Sequence, residues 1–364
     1  MVTGAVNGDR NEITTVDRDL SPKPTEAIEL ATHTEIRMSK LVTIFGGSGF
    51  VGRYIALRMA KQGWRVRVAV RRPNEAMFVK PYGTVGQVEP VFCNIRDDDS
   101  VRAVTQGADA VVNCVGILNE HGRNSFAAVQ HEGAARIARI ARELGVARLV
   151  HMSAIGANAD SDSAYAKTKA LGEQATLENF PGATILRPSV IFGSEDQFFN
   201  KFAKMSGLGP VLALVGGDTR FQPVYVDDVA KAAEMAVLGK ADAGVYELGG
   251  PDVQTLRELI LQMLDVIQRK RLVINLPFWV GSIIGTVFDI LQTITGGLFA
   301  NSILTRDQVR NLRNDNVVSA DAKGFADLGV EPVATEAVLP DYLWVYRPSG
   351  QFAAIKNSAK NVKP

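Results

Sequence analysis

The chain has 364 residues, 46% hydrophobic and 22% charged, and its 40 basic and 39 acidic side chains leave a net charge of +1. That balance fits one large α/β domain with an appended lobe. It excludes chain-wide disorder, a polytopic membrane protein and nucleic-acid binding by bulk positive charge. Two cysteines, Cys93 and Cys114, and four histidines at no ligand spacing exclude a disulfide scaffold, fit a reducing compartment and predict no metal site.

Residues 1–38 read as a disordered leader. They carry Pro22 and Pro24 and an acidic excess, with no sustained apolar period and no apolar core of a secretory signal. Met38, just before the first strand, is an alternative start. Leu41–Phe45 is then a continuous apolar run, followed by Gly46-Gly47-Ser48-Gly49-Phe50-Val51-Gly52 and a helical pattern to about Gln62. Further strands are predicted at Arg65–Val70, Val88–Cys93, Ala110–Val115, Arg148–Met152 and Thr184–Leu186. Helices are predicted over Phe126–Leu144 and Ala164–Glu178. Apolar strands alternating with helices predict an α/β fold: a Rossmann-like, doubly wound parallel sheet with a smaller C-terminal lobe.

The glycine spacing has a mechanical use. Gly46 permits the tight turn, Gly49 lets backbone approach a pyrophosphate, and Gly52 lets helix and strand pack closely. Ser48, Phe50 and Val51 complete a loop whose helix-terminal N–H groups face the phosphates. An acid about 20 residues on would bind a ribose 2′-hydroxyl. Arg71 stands there instead, followed by Arg72. A guanidinium fork suits a 2′-phosphate, so NADP(H) is expected over NAD(H). Asn94 and Ile95, past the third strand, are placed for an adenine edge, and Val115 and Gly116 for the cofactor ribose.

Tyr165 and Lys169 are four apart and share a helix face. Ser153 follows the fifth strand at the sheet's carboxyl edge. In that order Lys169 would lower the phenol pKa and hold the nicotinamide ribose, Tyr165 would move a proton and Ser153 would orient a carbonyl.

Between Arg271 and Arg306 the sole charge is Asp289. The uncharged run 272–288 is just short of the roughly 20 residues of a spanning helix and is broken by Pro277, Gly281 and Gly285. Val280, Ile283, Ile284, Val287, Phe288, Leu291 and Ile294 follow helical spacing as one stripe. Residues 276–300 therefore read as a bundle helix or an interfacial helix touching lipid or a membrane-bound partner. Domain bounds follow: a nucleotide-binding domain over 39–270, with lobe segments interleaved from about 193; an apolar helix and lobe over 271–347; and a basic tail over 348–364.

The glycine loop, Ser153, Tyr165-Ala166-Lys167-Thr168-Lys169, Leu186-Arg187-Pro188-Ser189 and Val224-Tyr225-Val226-Asp227-Asp228-Val229 resemble the extended and atypical short-chain dehydrogenase/reductases, the NAD-dependent epimerase/dehydratase-like group. Glu195-Asp196-Gln197-Phe198, Phe221-Gln222-Pro223-Val224 and Tyr246-Glu247-Leu248-Gly249-Gly250-Pro251 are similar to the nucleotide-binding accessory subunits of respiratory complex I, in their bacterial form. The resemblance covers about Lys40–Arg347. It implies a tightly held NADPH, with Arg71 at the 2′-phosphate and Pro188 beside the cofactor. It also implies a structural role among other complex I subunits, on the membrane-facing side and at the cytoplasmic face of the bacterial inner membrane. Many mitochondrial members lack the tyrosine that is present here as Tyr165. Two other readings remain: a free NADP-dependent reductase, epimerase or dehydratase using Ser153, Tyr165 and Lys169, and a sensor of the NADP(H) ratio.

Overall fold

Strand β1 (Leu41–Phe45) is buried along its whole length. Its side chains alternate between two cores: Val42 and Ile44 enter one, Leu41 and Phe45 the other. A strand covered on both faces lies between two packed layers. In the computed structural model, which describes residues 39–120, 122–294, 305–348 and 350, β1 pairs in parallel with β2 (Arg65–Val70) on one side and β4 (Ala110–Asn113) on the other. Beyond β2 lies β3 (Val88–Phe92). Beyond β4 come β5 (Arg148–Met152) and β6 (Thr184–Pro188). The chain thus leaves β1 in one direction, returns and leaves in the other. That switch point opens a crevice beyond the carboxyl ends of β1 and β4.

Short elements follow β6: β7 (Ile191–Phe192), β8 (Val211–Val215), β9 (Arg220–Phe221) and β10 (Val224–Tyr225). Then β11 (Gly244–Leu248) joins β6 as the seventh strand, in the order β11-β6-β5-β4-β1-β2-β3. β12 (Gln254–Thr255) and β13 (Leu272–Leu276) pair with β9 and β8. The helices are α1 (Phe50–Lys61), α2 (Asp98–Thr105), α3 (Glu132–Glu143), α4 (Ala164–Asn179), α5 (Phe199–Met205), α6 (Val226–Val237), α7 (Leu256–Val266), α8 (Phe278–Ile294), α9 (Arg306–Asn311) and α10 (Thr335–Leu343). The helix expected from Phe126 opens with a π turn over Ala127–His131 before α3.

A third core gathers Phe192, Phe199, Leu212, Leu259, Ile260 and Leu343. Residues from about 192 onward contribute to this core together with α7 and α10, whereas Phe325, Leu328 and Val330, inside the 271–347 segment, pack with the main sheet. A backbone bond joins that segment to the sheet edge: the Glu247 N–H of β11 donates to the Lys323 carbonyl at 2.8 Å. The expected leader over 1–38 and tail beyond 350 lie outside the described residues.

Of the apolar stripe expected on this helix, Ile283 and Val287 are exposed, while Val280, Ile284 and Phe288 are half-buried. Trp279, Ile283, Val287 and Ile290 are 66%, 56%, 58% and 52% exposed and share one face of α8. The opposite face approaches the body through glycines. A Cβ on Gly281 would lie 2.7 Å from Val215, and one on Gly285 2.8 Å from the Arg306 nitrogen. Small residues let the helix seat closely, so its bulkier neighbours turn outward. The Leu291 and Ile294 side chains lie outside the described residues. Among the described residues no helix is long and apolar enough to cross a membrane.

Candidate functional site

Gly46 turns the chain at φ +72°, in the left-handed region that favours glycine, and its N–H donates to the Ala69 carbonyl at 2.9 Å. A Cβ on Gly52 would lie 2.4 Å from the Gly46 oxygen, so only glycine lets α1 press against the turn. Gly49 differs. Its Cβ would meet only the Gly46 oxygen, at 3.1 Å, and its other side is open. Gly49 is also the N-cap of α1, with no side-chain cap and no acid in the first turn. The leading N–H groups and the positive end of the helix dipole are thus left to a ligand. Gly49, Phe50, Val51 and Gly52 line a cavity of about 280 Å3 with Gly116, Tyr165 and Lys169. Ser48 lies in the same turn, its carbonyl accepting from Arg53 at 3.1 Å. The residues present fit a dinucleotide: a bare helix end for the pyrophosphate, with Gly116 and Lys169 farther in. Such a group would supply hydride chemistry when bound.

The other expected contacts divide. Arg71 is exposed beyond β2, with no ion pair among the described residues, whereas Arg72 pairs with Glu75 at 3.0 Å. Asn94 turns its side-chain oxygen to the Arg96 N–H at 3.2 Å, and Ile95 packs beside Gly133. Gly116 faces the cavity, while Val115 packs into the second core. Pro188 lines a second, larger cavity that also takes in Tyr165 and Lys169.

The three candidate catalytic residues divide: Tyr165 and Lys169 line both cavities, and Ser153 does not. Ser153 is buried and lines neither cavity. Its hydroxyl donates to the Glu173 carboxylate, and Arg187 holds the same carboxylate from Nη2 at 2.6 Å and from Nε at 2.9 and 3.1 Å. Burial pushes Tyr165 up to about 12. Lys169, donating to the Met152 carbonyl at 3.0 Å, is itself pushed down to about 8 by burial. Beside it, burial holds His151 down near 3 and therefore neutral.

Lys169 has a stability consequence. Its folded value near 8 lies below the ordinary 10.5. Between the two, the unfolded chain keeps a proton that the folded chain sheds, so stability rises with pH across that window. In nucleotide-free protein, the stability of wild type relative to Lys169→Met should climb as pH goes from 8 towards 10.5 in urea titrations. A flat difference would mean that the ammonium is solvated.

The NAD dependent epimerase/dehydratase family profile matches residues 42–249. The chain belongs to that family. Among its relatives is the mitochondrial NADH dehydrogenase (ubiquinone) 1 alpha subcomplex subunit 9 of Arabidopsis thaliana, 36% identical over 318 residues, with 85% of this chain and 79% of the relative covered. The NADH-ubiquinone oxidoreductase 40 kDa subunit of Neurospora crassa is 32% identical, with 85% and 80% covered. The fold is also that of the Bordetella bronchiseptica enzyme WbmG, whose structure holds NAD: TM-score 0.62 at 13% identity, over 86% of this chain and 95% of that one. This epimerase/dehydratase-type site thus sits in a chain whose relatives include complex I subunits.

Two residues that govern the site were missed from sequence. Glu173 lies four residues after Lys169, so helical spacing places it on the same face, and this signal was readable. Asp307 left none. From α9 it accepts bonds from the Ser163 hydroxyl at 2.8 Å, the Ala164 N–H at 2.9 Å and the Tyr165 N–H at 3.2 Å, capping α4 from 144 residues away. One residue earlier, the Arg306 N–H donates to Asp289 of α8 at 3.1 Å. The family helix bearing Tyr165 and Lys169 is thereby tied to the apolar helix.

Proposed function

We propose that this chain holds NADP(H) as a resident cofactor and serves as a non-catalytic accessory subunit of bacterial complex I, the NADH:quinone oxidoreductase. The observation that carries the reading is the withdrawal of Ser153. The phosphate cradle is complete, yet the hydroxyl that would orient a substrate carbonyl is committed to Glu173. Arg71, exposed beyond β2 where an acid would select NAD, supports the 2′-phosphate. The Trp279–Ile290 face supports peripheral contact with the membrane or with neighbouring subunits, on the cytoplasmic side. The alternative, a free NADP-dependent reductase, is favoured by one feature: Tyr165 and Lys169 both open into the larger cavity.

A tagged chain from mildly solubilised membranes tests the reading. Complex I subunits should co-purify, the extract should contain NADP(H), and carbonate washing should release the protein. A nucleotide-loaded preparation free of complex I subunits would overturn the subunit reading. Arg71→Asp should weaken NADPH binding more than NADH binding, because it sets a carboxylate against the 2′-phosphate. Equal losses would overturn the choice of NADP(H).

A further inference from the structure

The larger cavity, about 570 Å3, is a separate feature from the cradle. It meets the glycine-loop cavity at Leu118, Tyr165 and Lys169 and takes in Leu276, at the end of β13, and Ile284 of α8. Its volume suits a small organic ligand. The walls between are hydrocarbon: Phe198, Phe202 and Phe221 with Ile155, Leu214 and Leu256.

The charged side chains of the lining are Lys169, Lys201 and Asp315, with Gln197, Gln308, Asn311 and Asn314 among the neutral polar ones and no arginine. Its carboxylate, Asp315, is paired with Arg220 at 2.7 Å. Asn316 is spent on the Ser189 hydroxyl at 2.7 Å and the Val190 N–H at 3.0 Å. A sugar diphosphate would find no arginine fork for its phosphates there, and much of the wall between the polar groups is hydrocarbon, against which its hydroxyls would go unpaired. A hydrocarbon chain gains there instead. The position of α8 adds to this. Ile284 lines the cavity while its neighbour Ile283 lies on the exposed apolar face. One helix separates the cavity from the surface that an apolar phase would wet.

We propose that this cavity binds a long-chain acyl amphiphile, with its oxygen-bearing head at Tyr165 and Lys169 and its chain among the phenylalanines toward α8. The proposal does not depend on membership of complex I.

The full chain, purified with its nucleotide, is titrated with cis-parinaric acid, a fluorescent long-chain fatty acid. Saturable binding at one site per chain is expected, displaced by oleate and indifferent to excess UDP-glucose. Ala154→Phe and Val190→Phe place bulk on the cavity wall, and each should weaken the probe about tenfold or more. Ile283→Glu, on the outer face, should leave the affinity unchanged. Displacement by UDP-glucose would overturn the proposal. So would loss of binding in Ile283→Glu, which would place the probe on the helix surface, or full affinity in a wall variant that keeps its nucleotide. The UDP-glucose and Ile283 arms hold even where a wall variant fails to fold.

Discussion

Tyr165→Phe should leave the protein folded, loaded with nucleotide and assembled, with NADH:quinone activity at the wild-type level, whereas Gly49→Val should empty the site. The tyrosine change removes one hydroxyl and keeps the ring, which packs edge-on against Phe126 with centroids 6.1 Å apart. Burial already holds that phenol near 12, and the Ser153 hydroxyl is engaged by Glu173, so the tyrosine hydroxyl is poorly set for proton transfer at neutral pH. The glycine change acts at the opposite pole. Gly49 has extended backbone angles that valine accepts, φ −70° and ψ 177°, and space around its Cβ except at the Gly46 oxygen. The chain should therefore fold, with a side chain standing where phosphate oxygens approach the bare end of α1. A ligand bound only by the folded state adds about 4 kcal/mol at a thousandfold excess over its dissociation constant, and Gly49→Val should forfeit a stabilisation of that kind. Nucleotide content, melting temperature, complex yield and electron transfer are measured on both variants. A large loss of activity in Tyr165→Phe at normal complex yield would favour the free-enzyme reading.

Glu173→Ala should be the most damaging single change in the sheet–helix interface. Glu173 is 4% exposed and accepts from both Ser153 and Arg187, and Arg187 also reaches Glu247 at 3.4 Å. Removing one partner of a buried pair typically costs about 3–5 kcal/mol, and because Arg187 keeps Glu247 and is a quarter exposed, the lower end of that range is expected here. Urea unfolding should show a lower midpoint with an unchanged slope. Glu173→Gln should recover part of the loss, since an amide oxygen still accepts from Ser153. A cost below about 1 kcal/mol, the range of exposed pairs, would mean that water already compensates the guanidinium. The result also bears on function: Ser153 released from Glu173 would be free to turn, and any reductase activity gained in Glu173→Ala would show that the carboxylate restrains it.

Both predictions rest on features that differ in how far they could be read without the fold. The apolar run Leu41–Phe45 can be buried only between two layers. The glycines after it answer to the backbone alone, so the parallel sheet, the turn and the bare helix end were legible. Tyr165 and Lys169 were legible too, because four residues of helix bring them to one face. Legibility fails where a side chain's partner is set by packing. Ser153 sits where a substrate-orienting residue belongs, but which way its hydroxyl points is decided by Glu173 and Arg187, which meet only when α4 lies across β5 and β6. The edge strand Gly244–Leu248 is short, with no alternation of its own, and its pairing with β6 places it. Hydrophobicity alone left α8 open between a bundle helix and an interfacial one, because it does not say which side is covered. Gly281 and Gly285 decide it, and only against Val215 and Arg306. Local backbone chemistry needs no distant partner and is written in order along the chain. The hydrogen bonds of Ser153, Asp289 and Asp307 each join residues 17 or more apart, and the fold alone brings them within reach.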